Sequence, residues 1–308
     1  MNVLSLFDGI GCGYLALERA NIKIDNYFAS EVDESTISIT NYYYGDKIKQ
    51  LGDVYELTED KIDELPQIDL LIGGSPCQDL SSVNTYTDHK GVFGEKSKLF
   101  WQYVRILNIL KKRNPNIIFL FENVGSSRQK DKDIISQKLK ALAITFNSSL
   151  LSAQNRNRVY WTNINFELPK ERKNIFMQDI LEENVDDKYY LSELMYQNII
   201  TPCQKGWKSG KMDINLKIAR PLTATMHKMH RADTDNYVST KYKPENKTNV
   251  RKLTPIECER LQTLPDNYTQ YGIKNGKVVK ISDTKRYQAI GNGWTVDVIS
   301  YILSNIQK

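Results

Sequence analysis

Val3-Leu4-Ser5-Leu6-Phe7-Asp8-Gly9-Ile10-Gly11-Cys12-Gly13 carries the chain from a short apolar run straight into a glycine-rich turn, and the amphipathic stretch Tyr14 to Ala20 follows it. An apolar run of this length, closed by Asp and Gly, predicts a strand buried on both faces. The pattern recurs at Tyr27-Phe28-Ala29, Ile68-Asp69-Leu70-Leu71-Ile72 and Ile117-Ile118-Phe119-Leu120-Phe121, with helical spacing between the runs. Such alternation predicts an α/β fold on a doubly wound, mostly parallel sheet.

Glycines in the first turn let the backbone bend sharply and come close to a ligand, while the helix after it offers free N–H groups. Glu31, at the end of the second run, is placed to accept from both hydroxyls of a ribose, and Asp53, after Gly52, from an adenine amino group. Together these residues point to an adenosine-type ligand. A dinucleotide-binding dehydrogenase would present a similar turn and acid.

Past about Asn163 the pattern gives way to short polar and aromatic segments punctuated by Gly, Pro and Asn, and a last apolar helix spans Thr295 to Ile306. The expected division is one domain from residues 1–165 plus 283–308 and a smaller one from 166–282. No apolar run approaches the roughly 18 residues needed to cross a bilayer, so a cytoplasmic protein without a membrane partner is expected.

The chain of 308 residues has a net charge of +5, unevenly placed. Residues 1–150 hold 17 Lys/Arg against 20 Asp/Glu, whereas 201–252 hold 12 against 4. A local positive excess suits a phosphate-binding surface, and it equally suits a solvated lysine-rich loop. The cysteines Cys12, Cys77, Cys203 and Cys258 are widely spaced and only three histidines accompany them. Neither a disulfide framework nor a structural zinc site is expected, and no metal.

Cys77 lies in Gly73-Gly74-Ser75-Pro76-Cys77-Gln78-Asp79-Leu80, directly after an apolar strand. The carboxyl edge of such a sheet is where open α/β folds bind ligands. Phe121-Glu122-Asn123-Val124 brings a carboxyl group to the same edge, and Gln154-Asn155-Arg156-Asn157-Arg158 places two guanidiniums on one side of an extended segment.

This ordered set, with Arg251-Lys252-Leu253-Thr254-Pro255-Ile256-Glu257 and Tyr287-Gln288-Ala289-Ile290-Gly291-Asn292-Gly293, resembles the motifs of the cytosine-5 DNA methyltransferase family over nearly the whole chain. The likeness is greatest to the catalytic domains of the animal de novo methyltransferases, through Ser75 to Ser81, Lys90-Gly91-Val92-Phe93 and Trp294. It implies a class I methyltransferase fold, S-adenosylmethionine as cofactor with S-adenosylhomocysteine as product, and double-stranded DNA as partner. The assembly state is not legible in the sequence. The compact length points to a prokaryotic or phage-encoded enzyme.

By that resemblance the catalytic set is Cys77, Glu122, Arg156 and Arg158. Cys77 adds to carbon 6 of a cytosine, Glu122 meets ring N3, Arg158 meets the carbonyl oxygen and Arg156 positions nearby groups. The cofactor set is Phe7, Asp8, Gly9 and Gly11 in the first turn, Glu31 and Val32, Asp53 and Val54, then Pro76, Leu99, Asn292 and Trp294. A target cytosine must leave the stack to be reached. The loop from Gln78 to Lys96 is long enough to close over DNA, with Gln78, Ser81 and an inserted Val83 as contacts. Arg220, Thr223, Thr225, His227, His230 and Arg231 are candidate DNA readers. A transfer-RNA methyltransferase of the same family would carry a Cys-Phe-Thr stretch, absent here. A non-catalytic homologue would not be expected to keep Cys77, Glu122 and Arg158.

Overall fold

The computed structural model describes residues 1–75, 98–201, 212–228 and 231–306. The apolar runs form the expected strands: β1 (Asn2–Leu6), β2 (Asn26–Ser30), β3 (Ile48–Gln50), β4 (Leu70–Gly73) and β5 (Ile118–Val124). Helices α1 (Cys12–Arg19), α2 (Glu34–Tyr44), α3 (Glu59–Asp63) and α4 (Lys98–Arg113) connect them in turn. After β5 come α5 (Gln129–Leu139), β6 (Ile144–Asn147) and β7 (Asn157–Thr162). The seven strands lie in the order β3-β2-β1-β4-β5-β7-β6. Those from β3 to β5 are parallel, and β7 runs antiparallel to both β5 and β6.

Each face of the sheet carries its own apolar layer, because alternate strand residues point opposite ways. Val3, Leu70 and Ile72 face one layer; Leu4, Leu6, Leu71 and Phe121 face the other. Helix α4 covers the second layer through Phe100, Tyr103, Leu107 and Leu110, a stripe at helical spacing. The basic residues Lys111, Lys112 and Arg113 in its last turn complement the negative helix end.

Beyond the sheet the chain builds a smaller unit from β8 (Tyr190–Ser192), α6 (Glu193–Ile200), β9 (Tyr237–Ser239) and β10 (Lys247–Lys252). Its three strands pair in the order β8-β10-β9 around a separate core that includes Leu191, Ile199, Tyr237 and Val250.

Helix α7 (Pro255–Leu261) then starts at a capping box: Glu257 N–H donates to Thr254 Oγ1, Thr254 N–H donates to the Glu257 carboxylate, and Pro255 sits where no N–H is needed. Hairpin β11 (Tyr271–Lys274) and β12 (Lys277–Lys280) packs on α2, and the Tyr268 hydroxyl donates to the Ile10 carbonyl at 2.7 Å. Finally α8 (Asp283–Asn292) and α9 (Val296–Leu303) return to the sheet, where α9 packs on α1 and Arg19 donates to Asp297 at 2.7 Å. The last apolar stretch thus folds back onto the first. No helix among the described residues is long and apolar enough to cross a membrane.

Candidate active site

From β1 the chain winds one way to β2 and β3, and from β4 the other way to β5. The two directions part between β1 and β4, and a crevice opens outside their carboxyl ends, the place where such sheets bind ligands. A cleft of about 680 Å³ occupies it, within the range of roughly 300–1,000 Å³ usual for small-molecule sites. Phe7, Asp8 and Gly9 line it from the turn after β1, and Glu31, Val32, Asp53 and Val54 from the ends of the next two strands. Leu99, Asn292 and Trp294 close the other side. Gly11 is buried beneath the same turn; its φ of 75° and the 61° of Gly9 explain why glycine stands at both positions.

The carboxylates are held before any ligand arrives. Glu31 accepts from Gly9 N–H at 2.8 Å on one oxygen and from Val32 and Asp33 N–H at 2.7 and 2.9 Å on the other, so its orientation is fixed by three backbone donors. Asp53 accepts from Tyr55 N–H at 3.0 Å through Oδ1. Val32 between them is 66% exposed, an apolar surface open to a planar ring.

Asp8 is buried, takes the Tyr27 hydroxyl at 2.6 Å on Oδ1, and has no partner for Oδ2. Burial raises its pKa from 3.8 to about 6, and nearby Glu31 adds to the rise while the Tyr27 hydroxyl opposes it. The folded carboxyl keeps its proton to higher pH than the unfolded one. Folding therefore takes up a proton across that window, and stability falls as pH rises through it. The loss at neutral pH is about 3 kcal/mol. Asp8→Asn is expected to remove most of this fall, measured by denaturant unfolding of the ligand-free protein at about pH 4 and about pH 7. An unchanged fall would place its source elsewhere.

A second constellation stands at the carboxyl edge of β4 and β5. Val124 pairs with Arg158 across the antiparallel β5–β7 ladder, so Arg158 is diagonal to Glu122 on the neighbouring strand. Its Nε reaches Glu122 Oε1 at 2.8 Å. Trp294 Nε1 donates to Glu122 Oε2 at 3.0 Å, and the glutamate is buried. Beside it, Asn123 Nδ2 donates to the Ser75 carbonyl at 3.3 Å.

The expectation that Arg156 and Arg158 face the same side holds to the extent that both line the cleft, yet their settings differ. Arg156 precedes β7, is buried, and donates to the carbonyls of Leu222, Gly291 and Gly293 at 2.7, 3.1 and 3.1 Å. It ties the end of α8 and the turn after it to the segment between α6 and β9.

Pro76, Cys77, Gln78, Ser81 and Val83, with the rest of the loop to Lys96, lie outside the described residues, as do Cys203 and His230. Of the remaining cysteines, Cys12 is buried with its thiol pushed up to about 12 by that burial, and burial likewise raises Cys258 well above the usual thiol value. Neither is a nucleophile.

Among the candidate DNA readers, Thr225 and His227 line the cleft, the latter with Nδ1 3.1 Å from the Ala224 carbonyl. Thr223 and Thr225 face each other at 3.3 Å. Arg220 is engaged inside the smaller unit, 2.5 Å from Asp213 and donating to the Asp235 carbonyl at 3.1 Å. Arg231 lies outside the cleft lining, and its backbone N–H donates to Asp235. Sequence reasoning missed Lys228, Lys285 and Gln288, which also line the cleft, and the buried Gln262, which holds the turn before Trp294. Gln262 donates to the carbonyls of Ile290 and Gly293 at 2.9 and 3.0 Å and accepts from Gln154 at 3.2 Å.

Known proteins share this chain's sequence pattern and fold. The chain is 28% identical to the type II methyltransferase M.SsoII of Shigella sonnei, over 99% of this chain and 79% of that one. It is 26% identical to the type II methyltransferase M.NlaX of Neisseria lactamica, over 99% and 96%. The structure of the Dnmt2 methyltransferase of S. pombe superposes with a TM-score of 0.70 at 19% identity, covering 99% of this chain and 97% of that one, a likeness of fold. Residues 1–308 match the family described as C-5 cytosine-specific DNA methylase, and the chain belongs to that family.

Proposed function

We propose that this chain moves a methyl group from S-adenosylmethionine to carbon 5 of a cytosine turned out of double-stranded DNA, with Cys77 as the nucleophile. The observation that carries the reading is the cluster of Glu122, Arg158 and Trp294 in the same cleft as Glu31 and Asp53, beside Ser75 and hence two residues from Cys77 in sequence.

The residues present fit the cofactor. Two preset carboxylates suit the hydroxyls and amino group of an adenosine, the exposed Val32 suits its ring, and the cleft that they line is large enough to hold it. When bound, S-adenosylmethionine supplies an electrophilic methyl group on a sulfonium. Carbon 5 of cytosine is too poor a nucleophile to take it directly. The Cys77 thiolate adds to carbon 6, Glu122 meets N3 as charge builds in the ring, and carbon 5 becomes nucleophilic. After methyl transfer, loss of the carbon-5 proton expels the thiolate. Arg158, with Nε on Glu122 and Nη1 donating to the Asn157 carbonyl at 2.9 Å, offers Nη2 to the cytosine carbonyl. Arg156 acts as a positioning residue, since its guanidinium is given to three backbone carbonyls.

We assign residues 1–165 and 283–308 to catalysis and 166–282 to target recognition, with Thr225 and His227 nearest the base. Gln78, Ser81 and Val83 are assigned to the DNA side, Pro76 and Leu99 to the methyl end of the cofactor. Purified protein is expected to transfer labelled methyl to duplex DNA, and bisulfite sequencing to place it on cytosine carbon 5 in one sequence context. Labelling of transfer RNA alone would overturn the choice of substrate.

A further inference from the structure

We infer that Trp294 is a positioning residue for Glu122, and that its indole N–H sets the plane of the carboxylate that meets the cytosine ring. The inference deepens the proposed methyl transfer and rests on that reading.

The Glu122 side chain leaves β5 and ends in a carboxylate that one partner cannot orient. Arg158 Nε holds Oε1 at 2.8 Å, which leaves rotation about the remaining axis. Trp294 Nε1 holds Oε2 at 3.0 Å and removes it. An indole N–H is a donor only, so the direction of this bond is unambiguous.

The two donors come from separate parts of the fold, Arg158 from β7 and Trp294 from the turn between α8 and α9. That turn is itself braced, because the Gly293 carbonyl before Trp294 takes one bond from Arg156 and one from Gln262. The Glu122–Trp294 contact also has space made for it. A methyl group on Gly74 would stand 2.8 Å from Glu122 Oε2 and 3.1 Å from Trp294 Nε1, closer than side-chain carbons ordinarily approach. Glycine at 74, just past β4, lets the two side chains meet.

Trp294 also lines the cofactor cleft, so a wall-only role must be separated from a positioning role. Trp294→Phe keeps most of the ring and removes the donor. Positioning predicts a fall in kcat of about 10- to 100-fold, with the KM for S-adenosylmethionine changed by less than about twofold. A wall-only role predicts the reverse, a raised KM with kcat kept.

Gly74→Ala, which pushes the pair apart while leaving both side chains chemically intact, is expected to lower kcat in the same way. The double variant should be little slower than the slower single one, because both changes break one contact. Thermal melting checks that each variant is folded, and either variant alone suffices if the other is not. Wild-type kcat in folded Trp294→Phe, or losses that multiply in the double variant, would overturn the positioning role. Wild-type protein that methylates no DNA cytosine would instead overturn the functional reading on which it rests.

Discussion

Cys77→Ser protein is expected to bind S-adenosylmethionine and DNA as the wild type does and to transfer no methyl groups. A serine hydroxyl is far less acidic than a thiol, and without addition at carbon 6 the cytosine ring keeps its conjugation. The described cysteines are not expected to substitute, because the thiols of Cys12 and Cys258 are buried and that burial favours their protonated form. A complementary measurement uses DNA containing 5-fluorocytosine. Fluorine cannot leave as the carbon-5 proton does, so wild-type enzyme should be trapped as a covalent adduct and Cys77→Ser should not. Turnover by the serine variant, or a wild type that forms no adduct, would remove the thiol mechanism.

The second large effect concerns folding. Arg251 and Glu257 have side chains 1% and 0% exposed and are joined by two bonds of 2.8 and 2.7 Å. The same carboxylate caps α7 through Thr254 N–H and accepts from Glu182 N–H at 2.9 Å. Arg251→Ala leaves this carboxylate buried beside backbone donors but without its cation. Breaking such a pair costs about 3–5 kcal/mol, which in a chain of this size lowers the melting midpoint by roughly 5–8 °C. Differential scanning of the two proteins under identical conditions reads the change, and an unshifted midpoint would mean that the pair contributes nothing net. Replacing both partners by apolar residues of similar volume should recover much of the loss, since the cost lies in the orphaned charge.

The strands were legible because a parallel strand covered on both faces must be largely apolar: Leu70–Ile72 and Ile118–Phe121 are wholly so, and Val3–Leu6 is broken only by Ser5. Family membership was legible for a different reason. Several short motifs occur in a fixed order, and the match over residues 1–308 bears out that reading. The alternation of residues along an extended segment suggested that Arg156 and Arg158 share a side, as their common cleft reflects.

Their division of labour was hidden, because it depends on partners far away in sequence. Arg156 is held to Gly293, 137 residues on, and Gln262 to Gln154, 108 residues back. Arg220, a candidate DNA contact by its sequence, is in the fold held by Asp213 and the Asp235 carbonyl. A charged side chain in a loop carries no local sign of whether its partner is protein or phosphate. The bond from Trp294 to Glu122 joins residues 172 apart and has no signature in either motif.

One wall of the cleft comes from the turn after α8, although the sheet itself is complete by Thr162. A ribosome that has made only the seven strands therefore holds a chain with no Asn292, no Trp294 and no helix against α1. Such a nascent chain has the sheet without a finished reaction chamber, so genome modification must wait until translation has passed the final helix.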